Sequence, residues 1–157
     1  MVTAGKGMDL RRYLAIALLA IGANTCNAAS LGELDAAIRA RYTAVEDAIR
    51  KGDTARLYVE LYQPGAVVAG EGTEKVARDE PSLMKIIDEV LKATRDCSIH
   101  PDGARAVSGR MAYSFVTYRC VPVGSSERSL VYRGIYVWTQ EKGIWRVKAE
   151  MFGIGSM

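Results

Sequence analysis

One histidine, three cysteines, four prolines and two phenylalanines are all that these residue types contribute to a chain of 157 residues. A lone His100, with no CxxC pair and no Cys/His cluster, excludes a protein-built zinc site of the usual four-ligand kind, and no cofactor motif is present. The formal charge is only +3 and no basic run or arginine stripe occurs, so nucleic acid is not an expected partner. The longest apolar run, YLAIALLAIGA from Tyr13, is well short of the roughly 20 residues that a membrane-spanning helix needs. No repeat, linker or low-complexity tract divides the chain, which predicts one domain around one core.

The N-terminus carries a different pattern. Lys6, Arg11 and Arg12 precede the apolar run, and the small-residue segment NTCNAAS follows it. Basic, apolar, then small is the order of an export signal. The expectation is a signal peptide over residues 1–29, starting at Met1 or Met8, and a mature domain over 30–157 that is periplasmic or secreted, with no stable membrane span. Cys26 would leave with the signal. Cys97 and Cys120 remain, an even pair in an oxidising compartment, so a disulfide between them is expected.

Periodicity lays out the mature chain. Leu34, Ile38, Tyr42, Val45 and Ile49 recur at helical spacing from a Ser30 cap to Lys51, where Gly52 suits a left-handed helix end. Asp53 caps a short helix, Thr54 to Tyr62, which Pro64-Gly65 ends. A short buried strand, Ala66 to Ala69, and a polar loop lead to a third helix near Glu80 to Thr94. The period then falls to two. Cys97 to Val121, Ser129 to Gln140 and Ile144 to Phe152 read as β segments, the first long enough to be a hairpin by itself. Helices followed by an antiparallel meander predict an α+β fold: three N-terminal helices on the concave face of a curved antiparallel sheet, forming a cone with an apolar interior.

Three stretches, AIRKGDTARLYVELYQPGAVVAGEG (48–72), ARAVSGR (104–110) and YVWTQEKGIWRV (136–147), resemble the nuclear transport factor 2-like superfamily in its SnoaL-like or ketosteroid-isomerase-like branch. The resemblance spans residues 33–152 and implies this same cone. The scaffold hosts isomerases, dehydratases, binding modules and oligomerisation domains, so fold alone does not give function. In the isomerase branch a carboxylate at the end of the first strand acts as base, with a tyrosine on the first helix. Here those positions fall near Ala69 and Val45. Glu71 lies two residues beyond the first, and Tyr42 one helical turn before the second.

Strand alternation places Trp145, Val147, Ala149 and Met151 on one face of the last strand, and Arg146, Lys148 and Glu150 on the other. With the tryptophan inward, the expected pocket lining is Tyr42, Tyr113, Phe115, Tyr136, Trp138, Trp145 and Met151. Glu71, Glu150 and Asp79 are the acids to test for a raised pKa, with Tyr42 as a candidate partner. His100 sits beside Pro101-Asp102-Gly103 and reads as a turn residue. The hairpin over Cys97 to Val121 has two possible turns. Asp102-Gly103, favoured by the resemblance, puts Cys120 out of disulfide reach of Cys97, whereas Ser108-Gly109 sets the cysteines directly opposite one another.

The leading expectation is an exported domain that binds a small apolar molecule and forms a homodimer. A second is an isomerase or lyase using Glu71 or Glu150 with a tyrosine. A third is an interaction domain of a cell-envelope assembly, with the outer sheet face as its contact surface. A carboxylate pointing into the cavity is the feature that would favour the enzyme.

Overall fold

The computed structural model describes residues 31–73 and 75–155, so the expected signal segment and cleavage site lie outside the described residues. Three helices, α1 (Leu31–Lys51), α2 (Thr54–Leu61) and α3 (Glu80–Ala93), accompany five strands. The strands are β1 (Tyr62–Gly70), β2 (Thr94–Ser108), β3 (Met111–Pro122), β4 (Leu130–Glu141) and β5 (Ile144–Ile154). The sheet order is β1-β5-β4-β3-β2. Strands β2 to β5 form the expected antiparallel meander, and β1 adds to β5 in parallel, so the sheet is mixed, with β1 and β2 as its two edges.

Local chemistry explains the helix ends. Gly52 adopts φ 63°, and the Asp53 carboxylate accepts the Arg56 amide at 2.9 Å to start α2. Asp79 and Ser82 form a reciprocal capping box at the start of α3, with Pro81 in the first turn. The buried stripe of α1 is Leu34, Ile38, Tyr42, Val45, Ala48 and Ile49. It packs into one core with Leu57, Leu61, Leu83, Ile87, Trp138, Trp145 and Val147.

Two expectations are corrected. Strand β1 begins at Tyr62, directly after α2, and carries Pro64-Gly65 inside it as an irregularity. An edge strand tolerates a proline that has no N–H to donate, and Gly65 at φ 69° lets the chain bulge and continue. The second concerns β2, where two turns were open: the strand does not turn at Asp102-Gly103. It passes those residues with a register shift between Pro101 and Ala104 and continues to Ser108, which pairs with Met111. The turn is therefore at residues 109–110, one position beyond Ser108-Gly109. The pairing that Ser108-Gly109 implied holds at the cysteines: Cys97 lies opposite Cys120, and a disulfide joins them. His100 accordingly sits on a strand rather than in a turn.

Edge strand β2 is covered by helix side chains. The Glu46 carboxylate accepts the Ile99 amide at 2.7 Å, and that of Asp35 accepts the Ala104 amide at 3.1 Å. Backbone donors that would otherwise offer a template for pairing are thereby satisfied.

Candidate active site in the hollow under strand β5

The inner sheet face is built from cross-strand rows. Ala112 faces Trp138, Ser114 faces Tyr136, Val116 faces Gly134, and Tyr118 faces Tyr132. Strand β5 continues these rows with Glu150 opposite Tyr136 and Phe152 opposite Gly134. It does so only because of a bulge. Val137 pairs with Ala149 while Trp138 pairs with Val147, so Lys148 is an extra residue. Before the bulge, Trp145 and Val147 point inward. After it, Glu150 and Phe152 do. The irregular stretch of β1 lies alongside, and the Lys148 ammonium donates to the Pro64 carbonyl at 3.2 Å.

The bulge overturns the simple alternation of the last strand. Met151 is on the outer face, 62% exposed, and Phe115 lies in the same row beyond Ile135, at 49%. Tyr113 packs edge-on against Phe115, ring centroids 6.2 Å apart, on that outer side. These three residues do not line the interior. Trp138, Trp145 and Tyr42 are buried in the filled part of the core. Tyr42 and Trp138 pack edge-to-face at 5.7 Å, the indole Nε1 donates to Ser114 Oγ at 2.9 Å, and the Tyr42 hydroxyl lies 3.4 Å from the same oxygen. Burial raises the Tyr42 pKa far above its ordinary value. Of the expected lining, Tyr136 faces the cavity.

That cavity holds about 80 Å³ and lies between the helices and strands β1, β3, β4 and β5. Val45, Leu61, Val68, Ile86, Val90 and Val116 give it apolar walls. Tyr62, Tyr118, Tyr132, Tyr136 and Phe152 are its aromatic members, and Glu150 its carboxylate. The hollow exists partly because Gly134 occupies an inward position in a central strand. A Cβ there would come within 2.9 Å of the Met151 carbonyl oxygen. The Phe152 ring occupies the space that a Cβ on Gly70 would need.

The Tyr62 hydroxyl donates to Glu150 Oε2, and the Tyr118 and Tyr136 hydroxyls are hydrogen-bonded to each other at 2.8 Å. Removal from water pushes the Glu150 pKa up to about 7, while hydrogen bonds from Tyr62 and Tyr136 restrain the rise. Burial likewise raises Tyr62, Tyr118 and Tyr136 well above a free phenol. The site thus holds one carboxyl group that exchanges a proton near neutrality and several phenols that stay protonated.

The other candidate acids have structural partners. Glu71 is exposed beyond β1 and accepts the Ile154 amide at 2.7 Å, tying β1 to the end of β5. Asp79 caps α3, and its bonds from Ser82 lower its pKa. His100 is exposed, with a ring nitrogen 3.1 Å from Ser98 Oγ. Among the described residues no group of three His, Cys, Asp or Glu side chains could hold a metal ion. Residues not anticipated are Tyr62, Tyr118, Tyr132, Gly134 and Phe152. Tyr118 was readable from its alternation with Ser114, Val116 and Cys120, whereas Phe152 depended on a bulge that strand alternation does not announce.

No family model and no curated protein matches this sequence. Solved structures do resemble it. A nuclear transport factor 2-like protein from Shewanella baltica superposes with a TM-score of 0.62 at 12% identity, covering 82% of this chain and 98% of that one. The fold is nuclear transport factor 2-like. A ketosteroid isomerase-like protein from Erwinia carotovora reaches 0.61 at 16% identity, covering 78% and 96% of the two chains. A putative scytalone dehydratase from Novosphingobium aromaticivorans also reaches 0.61, at 14% identity, covering 80% and 87%. At these identities the likeness carries the fold, and the chemistry must be argued from this chain's own pocket.

Proposed function

We propose that this nuclear transport factor 2-like domain binds a small, mainly apolar molecule that presents one polar group to Glu150. The observation that carries this reading is an apolar, aromatic-walled hollow with a single carboxylate inside it. The test is native mass spectrometry of protein purified from its own host. A retained mass in the wild type, lost when Val90→Phe fills the hollow in a variant that still folds, is expected. A folded wild type that carries and takes up nothing from a library of small apolar compounds would refute it.

The position of Glu150 also favours a second reading, an isomerase or lyase. A carboxyl group titrating near neutrality beside the Tyr62 hydroxyl is suited to move a proton on a bound substrate. On this reading Glu150→Gln lowers turnover by roughly two to four orders of magnitude while binding persists. Glu71→Gln leaves turnover unchanged, because its carboxylate is committed to Ile154.

Two further parts of the proposal concern setting. Export of the mature domain fits the Cys97–Cys120 disulfide, and N-terminal sequencing from the native host should begin at Ala29 or Ser30. Pairing of two copies through the outer sheet face fits the aligned row of Phe115, Ile135 and Met151. Sedimentation of Met151→Glu should then report a monomer.

A further inference from the structure

We infer that the polar group of the bound molecule is an organic cation, a small alkylammonium seated against the Glu150 carboxylate and enclosed by Tyr62, Tyr118, Tyr132, Tyr136 and Phe152. The inference rests on the ligand-binding reading above and adds the chemical class of the ligand.

Charge is the first argument. Among the described residues the ion pairs are Arg41 with Glu60, three cations on Asp47, Lys92 with Asp88, and Arg128 with Asp96. None involves Glu150, whose partners are the neutral donors Tyr62 and Tyr136. A carboxylate shielded from most of its water without an opposite charge is costly, and a cationic ligand supplies that charge. The groups facing it add little positive potential. From α1 come Tyr42 and, felt at the Tyr118 hydroxyl, the anionic Glu46. Helices α2 and α3 contribute only Leu57, Leu61, Ile86, Ile87 and Val90. The strands contribute Tyr62, Tyr118, Tyr132 and Tyr136, and one cation, Arg133. The Arg133 guanidinium is turned to the end of β5, where it donates to the Gly155 carbonyl at 3.2 Å.

Shape is the second argument. Aromatic rings attract cations through their quadrupole, and desolvated sites strengthen that attraction. The cavity, at about 80 Å³, is roughly half the volume of an apolar cavity that holds benzene, which suits a molecule of about five heavy atoms. The pKa of Glu150 agrees: burial pushes it up to about 7, and a cation would hold it ionised.

Tetramethylammonium and tert-butanol separate the possibilities, since they match in size and only the first is charged at every pH. Binding of each is followed through the backbone amides of Gly134 and Glu150 by NMR titration at constant ionic strength. Tetramethylammonium should bind more tightly than tert-butanol, and its affinity should rise roughly tenfold from about pH 6 to about pH 8.5, following the ionised fraction of a group titrating at about 7. Glu150→Gln should weaken tetramethylammonium about tenfold or more and leave tert-butanol within about threefold, a split that simple unfolding does not produce. If tert-butanol binds as tightly as the cation, or if cation affinity falls as pH rises, the cation inference fails and the pocket reading stands. If neither probe shifts these amides, both readings fail together.

Discussion

At one end of the inner sheet face, Trp138, Trp145, Tyr42 and Ser114 are buried in the filled core, and Ser114 Oγ accepts from the Trp138 indole with the Tyr42 hydroxyl beside it. At the other end, Gly134, Phe152, Tyr62 and Glu150 leave a hollow, and the carboxyl group there waits on phenols. Both ends belong to the same strands, a few residues apart. They differ in two local devices, a glycine at an inward position and an extra residue at Lys148. A working cavity therefore needs no separate domain or loop. It needs one missing side chain and one shift of phase in an otherwise regular sheet.

The largest expected effect tests the filled end. Trp138→Ala should destabilise the domain by about 3–5 kcal/mol in chemical denaturation, because a fully buried indole leaves a void and Ser114 loses the indole donor. A loss below about 1 kcal/mol would show that this end is not packed tightly.

The hollow end should respond to pH instead. The ordinary pKa of Glu150 is 4.5 and its folded value about 7. Below the first value the group is protonated in both states and costs nothing. As pH rises between the two, the unfolded chain releases the proton while the folded one retains it, so stability falls, and the full cost is present above about pH 7. With partial solvent access it should amount to on the order of 1–3 kcal/mol. Glu150→Gln should remove that slope and be relatively more stable at pH 8 than at pH 4. A wild-type-minus-variant difference that does not change with pH would mean that the carboxyl group is solvated.

The smallest effect concerns Glu71, which stands outside both regions. Glu71→Ala should cost about 1 kcal/mol through the lost bond to the Ile154 amide, with ligand binding unchanged. Loss of binding with stability intact would move Glu71 into the site.

The contrast also separates what sequence reading reaches from what it misses. The helices were legible because Leu34, Ile38, Tyr42, Val45 and Ile49 repeat at one period, and Gly52 and Asp53 chemically mark the end of one helix and the start of the next. The meander and the Cys97–Cys120 pairing were legible from alternation and cysteine parity. The site was only half legible. Glu150 was a candidate as an acid among aromatics, yet alternation counted from Trp145 put it on the outer face and Met151 inside. A period of two carries no record of where an extra residue interrupts it. Tyr62 was assigned to a helix end because Pro64-Gly65 looked like a terminator, when the edge position of β1 lets a strand run through it.

The Lys148 bulge also sets how the final strand would respond to length changes. A chain lacking that single lysine would pair Val147 and Ala149 with Trp138 and Val137 as consecutive rungs, and alternation would run unbroken from Trp145. Glu150 and Phe152 would still face the helices, and Ala149 and Met151 would still face outward. One more residue inserted beside Lys148, with the bulge kept at one residue, would do the opposite, turning Ala149 and Met151 inward and carrying the carboxyl group to the outer wall. A one-codon deletion at the bulge should therefore spare the site, whereas a one-codon insertion that leaves the bulge in place would exchange inside for outside and erase it in one step.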